Sequence, residues 1–525
     1  MPAVLASPSH LTTDEFRRER RERAIHVIGC DVGSQSLKGV LLDDDGQAVA
    51  EAAAAYTVAY PRSGWAEQDP ARWFDALRRV IAELLSVSGV GGRDVAAIGL
   101  ASQVDGVVAV DDDLQSLAPA IIWMDRRATR EADRLRQTIK PADVLRITGL
   151  NLDAYHVAPK ILWLQSEHPE LIPLTRAYLL PGSYLVAHLT GELVVDHANA
   201  SSTMLYDIEQ RAWSQRMLDA TGIDPARLAP IAAARSVAGT LRPAVAADLG
   251  LGPHCRVVVG TGDEHGACLG AGAISEDVLC DITGTAEPVA CASTRPVIDP
   301  TGLVETHAHA DERVWLVENP GFVSGGSVRW YLDLTGQQEG SLDAAATVPP
   351  GSDGITFLPA LSGSTTPRWN EHARGVFSGL SLNHGKSHLA RALLEGCTFA
   401  LRDLVDRLAA LGLGGPELRV VGGGARSDLW LQMKADVTGL TVRTLVAAEA
   451  TAVGAVGLAA VGAGLFRDLD EAVARLTRLD ERAYTPDLAT RPAYDDAYGR
   501  YRRLFETLEP LFEPLDPLSQ PAPAS

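Results

Sequence analysis

The 525-residue sequence has no C-x-x-C pair and no other compact spacing of ligating cysteines. Its six cysteines, Cys30, Cys255, Cys268, Cys280, Cys291 and Cys397, sit far apart in mostly apolar surroundings. They read as small buried side chains, and a reducing cytoplasm is the expected compartment. No basic segment followed by an apolar core opens the chain: Arg17, Arg18, Arg20, Arg21 and Arg23 are interleaved with Glu19 and Glu22, so residues 1–24 read as a charged extension. There is no run of eighteen apolar residues either, because the most apolar late stretch, 447–464, carries Glu449 and several glycines, and no membrane span is predicted. Positive charge is in deficit. With 47 Lys and Arg against 67 Asp and Glu the formal charge is −20, which disfavours nucleic acid and anionic membranes as partners but leaves small anionic ligands open. Neither G-x-G-x-x-G in a βαβ setting nor G-x-x-x-x-G-K-[ST] occurs, which counts against a nicotinamide enzyme and a P-loop nucleotidase.

What is present is a globular composition, 46% hydrophobic and 22% charged. At about 150 residues per domain the length corresponds to roughly 3.5 units, in practice two large domains or three moderate ones. Organised sequence starts at Ile25, where an apolar run enters Asp31-Val-Gly-Ser and a second apolar run follows, a hairpin pattern. Strands are expected over 49–56, 95–101, 107–110 and 121–123, a helix over 70–85, and interrupted helical sequence over 126–189. A new start at Cys255 gives strand, glycine turn and small-residue helix, then a strand over 276–282 and an apolar segment over 288–291. The last third alternates helix (388–411), strand (418–421), glycine turn, helix (427–437), strand (441–445) and helix (450–463), which is α/β architecture, and ends in a helix over 498–508 and a tail over 514–525. Asp31-Val-Gly-Ser and Asp281-Ile-Thr-Gly-Thr echo each other, roughly 250 residues apart, as a duplicated pair of domains would require.

Glycine-bearing turns at strand ends expose consecutive NH groups that suit phosphate oxygens, and three occur: Gly33-Ser34, Gly284-Thr285 and 422–424. Asp31, at the mouth of the first, suits either an Asx-turn cap or hydrated Mg²⁺. Lys38, seven residues on, either reaches a phosphoryl group or projects to solvent. Asp263, between Gly262 and a helix start, is either an N-cap or a base for a sugar hydroxyl, while the adjacent Glu264 and His265 read as helix-start residues. Asp105 and Asp125, at strand ends, are either hydroxyl ligands or solvated turns.

Several ordered segments together resemble the FGGY carbohydrate kinase family, most nearly its xylulokinase branch: GCDVGSQSLKG (29–39), WMDRRA (123–128), GTGDEHGACLGAG (260–272), DITGTAEP (281–288), FLPALSGSTTP (357–367) and VGGGARSDLWLQMKADVTG (421–439). The resemblance covers about Ile25 to Tyr501. It implies an α/β protein with two actin-like, ribonuclease H-like ATPase domains flanking a catalytic cleft, the first over 25–256 with the sugar site and first phosphate loop, the second over 257–501, followed by a tail over 502–525. It makes Asp263 the catalytic base and Asp31 the Mg²⁺ ligand. Gly33, Ser34, Gln35, Lys38, Gly284 and Thr285 would line the ATP phosphates, and Gly423, Gly424 and Ala425 with Asp428 the nucleoside. Gln103, Val104, Asp105, Asp125, Arg127, Asp263 and Glu264 would surround the sugar. The implied reaction is transfer of the γ-phosphoryl group of ATP to a ketopentose, D-xylulose foremost, and the implied assembly is a homodimer.

The match thins at the sugar. The branch's usual Gly-Gln-Met-His-Gly is Ser102-Gln103-Val104-Asp105-Gly106, its Trp-Asn-Asp-x-Arg is Trp123-Met124-Asp125-Arg126-Arg127, and the Glu-Arg of Ser-Gly-Glu-Arg-Thr-Pro is Ser364-Thr365. An ionised carboxylate accepts hydrogen bonds but does not donate them, so the favoured polyol shifts. Other pentuloses, pentitols, erythritol and glycerol are the alternative substrates, and an inactive sugar sensor with the same fold is the alternative of another class.

Overall fold

The computed structural model describes residues 25–447 and 449–512; the extension over 1–24 and the tail over 514–525 lie outside them. The first sheet contains β1 (His26–Val32), β2 (Ser36–Leu42), β3 (Ala48–Ala55), β4 (Val95–Ser102), β5 (Val237–Thr240), β6 (Arg256–Val258) and β7 (Thr261–Gly262), in the order β5-β6-β4-β1-β2-β3 with β7 beside β4. β1 to β3 form an antiparallel meander, and β4 and β6 add in parallel. The run HVIGCDV is buried along nearly its whole length because β1 lies at the centre of the sheet, where both faces are covered. α1 (Pro70–Ser88) starts on the Asp69 side chain, which accepts from the Ala71 amide, has Pro70 in its first turn, and ends at Gly89 with φ 70°. Its buried stripe, Trp73, Ala76, Leu77, Val80, Ile81 and Leu84, has the 3–4 residue spacing of one helix face.

The second sheet repeats the plan. It holds β8 (Val278–Thr283), β9 (Ala286–Ser293), β10 (Glu305–Ala308), β11 (Trp315–Val323), β12 (Glu417–Gly422), β13 (Thr441–Leu445) and β14 (Leu479–Tyr484), in the order β10-β11-β9-β8-β12-β13-β14. β8, β9 and β11 are antiparallel neighbours and β12 and β13 run parallel to β8, so they correspond to β1, β2, β3, β4 and β6. Asp31 and Asp281 therefore occupy matching places near the ends of matching strands. The first sheet takes in residues up to Gly262, so the chain passes from one sheet to the other over 263–277 and not at 256/257. The last helix, Arg491–Leu508, likewise runs beyond residue 501. The interrupted helical region contains four helices over Thr129–Thr138, Pro141–Thr148, α2 (Val157–Glu167) and Pro181–Thr190, with the short strand Ala177–Leu179 among them.

Three more helices matter to the site: α3 (Asp263–Gly270), α4 (Asp428–Thr438) and α5 (Ala450–Ala463). α3 and α5 lie between the sheets. α5, although it follows the second sheet's strands in sequence, packs Ala452, Val456 and Ala459 with Val27, Val40 and Ala97 of the first sheet. α3 follows the first sheet and packs Ala267 and Cys268 with Cys280, Ala290 and Leu316 of the second. The two helices touch backbone to backbone: a Cβ on Gly454 would stand 2.0 Å from the Gly266 carbonyl oxygen, so no side chain fits there. All six cysteines are free and buried. No helix among the described residues is long and apolar enough to cross a membrane.

Candidate active site

The first turn, between β1 and β2, is tight, with the Gly33 amide donating to the Ser36 carbonyl at 3.1 Å. It is held from outside by three side chains. Tyr56 Oη donates to the Gly33 carbonyl at 2.5 Å, the Gln68 amide to the Ser34 carbonyl at 2.6 Å, and the Trp123 indole to Ser34 Oγ at 2.8 Å. The backbone NH groups of Ser34 and Gln35 make no hydrogen bond among the described residues, nor does that of Thr285 in the second turn. Oriented, unpaired amides at the end of a strand are what a phosphate oxygen needs. Lys38, opposite Asp31 across the hairpin, is ion-paired with Glu449 at 2.8 Å, just before α5.

The two matching aspartates have opposite surroundings. Asp281 is wholly buried and neutralised by the equally buried Lys434, which also donates to Thr283 Oγ1 at 2.7 Å and to Glu287 at 3.0 Å. The Asp31 carboxylate accepts no hydrogen bond from the described residues. Burial pushes its carboxyl up to about 7, with Lys38 pulling down and Glu449 pushing up. A carboxylate left without a donor in a buried place suits a hard cation, whose charge reverses that penalty. Asp263 opens α3, its Oδ1 accepting from the Glu264 amide at 3.0 Å. Burial first, then the charges of Glu264 and Asp31, hold its carboxyl well above the usual carboxylate range. Asp31 and Asp263 both also raise the Tyr56 hydroxyl, after burial, so the three groups lie within electrostatic reach of one another.

Behind Asp263 lies a buried polar nest. Gln103 donates its backbone amide to Val32 and its side-chain amide to Gln68 Oε1 at 2.7 Å, leaving its own Oε1 without a partner. Val104 packs towards Gly262. Asp105 adopts φ 55°, with its carboxylate 3.2 Å from His156 Nδ1 and its carbonyl accepting from Lys160 Nζ at 2.6 Å. Glu305 accepts from Tyr155 Oη at 2.9 Å and the Asn151 amide at 2.7 Å. Burial raises Glu264 to about 7; the Glu318 contact lowers it, while Asp105 and Glu305 push it up. Asp105 thus lies within electrostatic reach of Glu264. Burial drives His265 well below an ordinary imidazole and His307 down to about 4.

Asp125 and Arg127 are turned to each other. The Asp125 carboxylate accepts from the Ala66 amide at 2.6 Å, the Arg127 amide at 2.8 Å and the Arg127 guanidinium at 2.7 Å, and that guanidinium also pairs with Glu67 and stacks 3.7 Å from the Trp65 ring centre. Both side chains are buried. In the third glycine turn, Gly423–Arg426, Gly423 is exposed and Gly424 buried against Thr283, with Ala425 half-buried beside them. Asp428 is exposed in the first turn of α4 and accepts from Tyr484 Oη at 2.6 Å and Arg482 at 3.1 Å. Sequence reasoning did not single out Tyr56, Gln68, His156, Lys160, Glu305, His307, Glu318 or Lys434. Only His307 carried a legible signal, the His-x-His alternation with His309 that puts both rings on one face of a strand.

Residues 26–270 match the FGGY family of carbohydrate kinases, N-terminal domain, and residues 281–463 its C-terminal domain. The xylulose kinase of Escherichia coli (strain K12) is 33% identical over 487 residues, 92% of this chain and 99% of the relative. A glycerol kinase of Aromatoleum aromaticum is 32% identical, covering 92% of this chain and 98% of its own length. The crystal structure of ligand-bound xylulose kinase from Lactobacillus acidophilus superposes with a TM-score of 0.86 at 28% identity, over 92% of this chain and 98% of that one. With both domains matched and this geometry at their junction, the chain belongs to the FGGY family of carbohydrate kinases, ATP-dependent phosphotransferases that act on an alcohol group.

Proposed function

We propose that the protein transfers the γ-phosphoryl group of ATP to D-xylulose, giving D-xylulose 5-phosphate, with Asp263 as base. The observation that carries this reading is the Asp31 carboxylate, free of hydrogen bonds and within electrostatic reach of Asp263, together with the unused amides of Ser34 and Gln35 in the first turn and of Thr285 in the second. The sugar hydroxyl gives its proton to the Asp263 carboxylate as its oxygen attacks the γ-phosphorus, and the bond from that phosphorus to the β,γ-bridging oxygen breaks, releasing ADP. Burial and neighbouring carboxylates raise the proton affinity of Asp263, which favours this transfer. Gly33, Ser34, Gln35, Gly284 and Thr285 are assigned to the phosphates, with Lys38 released from Glu449 to reach them. Gly423, Gly424 and Ala425 are assigned to the nucleoside, Asp428 bracing that wall through Tyr484. Asp31 is the residue for Mg²⁺, which when bound supplies charge neutralisation at the phosphates.

The sugar is assigned to Gln103, Val104, Asp105 and Glu264, where carboxylates and the free Gln103 oxygen accept from hydroxyls. Asp125 and Arg127, having spent their polar groups on each other, support that wall without touching the sugar. His156 beside Asp105 brings an imidazole from α2 to the place where the branch usually has one in its own turn, which supports a ketopentose despite the altered motif. The test is ADP release over D-xylulose, other pentuloses, pentitols, erythritol and glycerol. D-xylulose is expected to give the highest kcat/KM, and Asp263→Asn to lower kcat by about 10²–10⁴-fold. A higher kcat/KM for an alditol, or no turnover with any sugar, would replace this reading by the polyol kinase or the inactive sensor respectively.

A further inference from the structure

Beneath Asp263 three side chains from separate elements converge: His265 of α3, His307 of β10 and Glu318 of β11. Each offers a ligand atom, and these atoms lie within 4.8 Å of one another. They are 1%, 5% and 1% exposed. His307 Nε2 stands 3.4 Å from Glu318 Oε1, about the 3.4 Å between two donors of a tetrahedral ion bound at 2.0–2.1 Å. Hydrogen bonding leaves much of this cluster unsatisfied. Neither ring nitrogen of His265 has a partner, nor do His307 Nδ1 and Glu318 Oε2, and the nearby Ala308 backbone offers His265 only an interaction outside hydrogen-bond geometry. So many buried, unpaired polar atoms aimed at one point cost several kcal/mol unless something fills it.

We propose that His265, His307 and Glu318 form a binding site for one divalent transition-metal ion of the zinc class. Two imidazole nitrogens and one carboxylate oxygen are a borderline-soft set that suits Zn²⁺, whereas Mg²⁺ and Ca²⁺ select all-oxygen sites. Three protein ligands leave the fourth tetrahedral position to a water. With ligand atoms within 4.8 Å of one another, against a tetrahedral donor spacing of about 3.4 Å, the cluster would tighten around the ion. The ion would tie the first turn of α3, which carries Asp263, to two strands of the second sheet, making this a positioning site separate from the Mg²⁺–ATP site at Asp31. Nothing in it depends on which sugar the enzyme takes.

The experiment is equilibrium binding of Zn²⁺ alone to the chelator-stripped full-length protein without nucleotide, with Co²⁺ as an absorbing probe. One Zn²⁺ per chain is expected, with tetrahedral d–d bands for Co²⁺, no displacement by excess Mg²⁺, and at least a tenfold weaker affinity in His265→Ala and in the near-isosteric Glu318→Gln. Asp31→Ala is expected to keep the ion. Thermal melting checks that each variant is folded, and should His265→Ala fail to fold, Glu318→Gln decides. Absence of stoichiometric binding, binding unchanged in Glu318→Gln, or loss of binding in Asp31→Ala would overturn the assignment.

Discussion

Lys160 is wholly buried on α2, and its ammonium group reaches two backbone carbonyls, those of Asp105 at 2.6 Å and Ile122 at 2.9 Å. The first bond clamps Asp105 at φ 55°, a conformation that a non-glycine residue leaves readily without such help. Burial lowers Lys160 to about 7, with Asp105 and Asp125 opposing. The folded group is then protonated less readily than in the unfolded chain, where lysine keeps its ordinary value near 10.4. Below about pH 7 both states hold the proton; between there and about pH 10.4 only the unfolded state does, so this residue's contribution to stability rises with pH across that window. Lys160→Met should leave two buried carbonyls unpaired and cost about 1–3 kcal/mol for each. Denaturant unfolding at pH 7 and pH 9.5 checks both parts: the deficit of the variant should widen at the higher pH, and a deficit that narrows would refute the assignment of Lys160 as the titrating group.

At the scale of elements, α5 carries a built-in comparison. A Cβ on Gly454 would meet the Gly266 carbonyl oxygen at 2.0 Å, while one on Gly457, a turn further along the same helix, would meet nothing nearer than 3.6 Å. Gly454→Ala must push α3, and with it Asp263, away from α5, and is expected to cost about 1–3 kcal/mol and to lower kcat. Gly457→Ala removes only unfolded-chain entropy and should stabilise by up to about 1 kcal/mol. Thermal melts and ADP release of the two variants side by side test the close approach. This small-residue helix was legible in the sequence, as were the central strands, α1 and α4; α1 and α4 have the side-chain caps Asp69 and Ser427, and all three helices end at a glycine. β11 was not: Asn319-Pro320-Gly321 reads as a turn, yet it lies in a strand whose pairing with β9 slips between Glu287 and Val289, so that a bulge absorbs the proline. The site divides in the same way. Asp31, Asp263 and the glycine turns carry local signals, whereas Lys434 reaches Asp281 across 153 residues and could be placed there only by the sheet.

At the scale of the whole molecule, the −20 total says little about how a highly charged nucleotide is received, because under the proposed function the decision falls to one ion pair joining segments 411 residues apart. Lys38 on the first sheet and Glu449 at the start of α5 are 40% and 25% exposed, and an ion pair that open to solvent contributes about 0–1 kcal/mol. Such a pair is cheap to break, and the phosphates can take Lys38 from Glu449 at little cost. Glu449 also adds to the negative field that pushes Asp31 up. Removing the Glu449 charge should therefore free the lysine for the phosphates. Glu449→Gln is expected to change stability by less than about 1 kcal/mol while lowering the KM for ATP several-fold, and Lys38→Met to raise that KM by about tenfold, the loss of one charge-assisted hydrogen bond. In the double variant the gain from Glu449→Gln should vanish, because it acts through Lys38. Steady-state kinetics with ATP varied at saturating sugar measure all three, and a KM for Glu449→Gln at or above the wild-type value would show that Glu449 assists the nucleotide instead of competing with it.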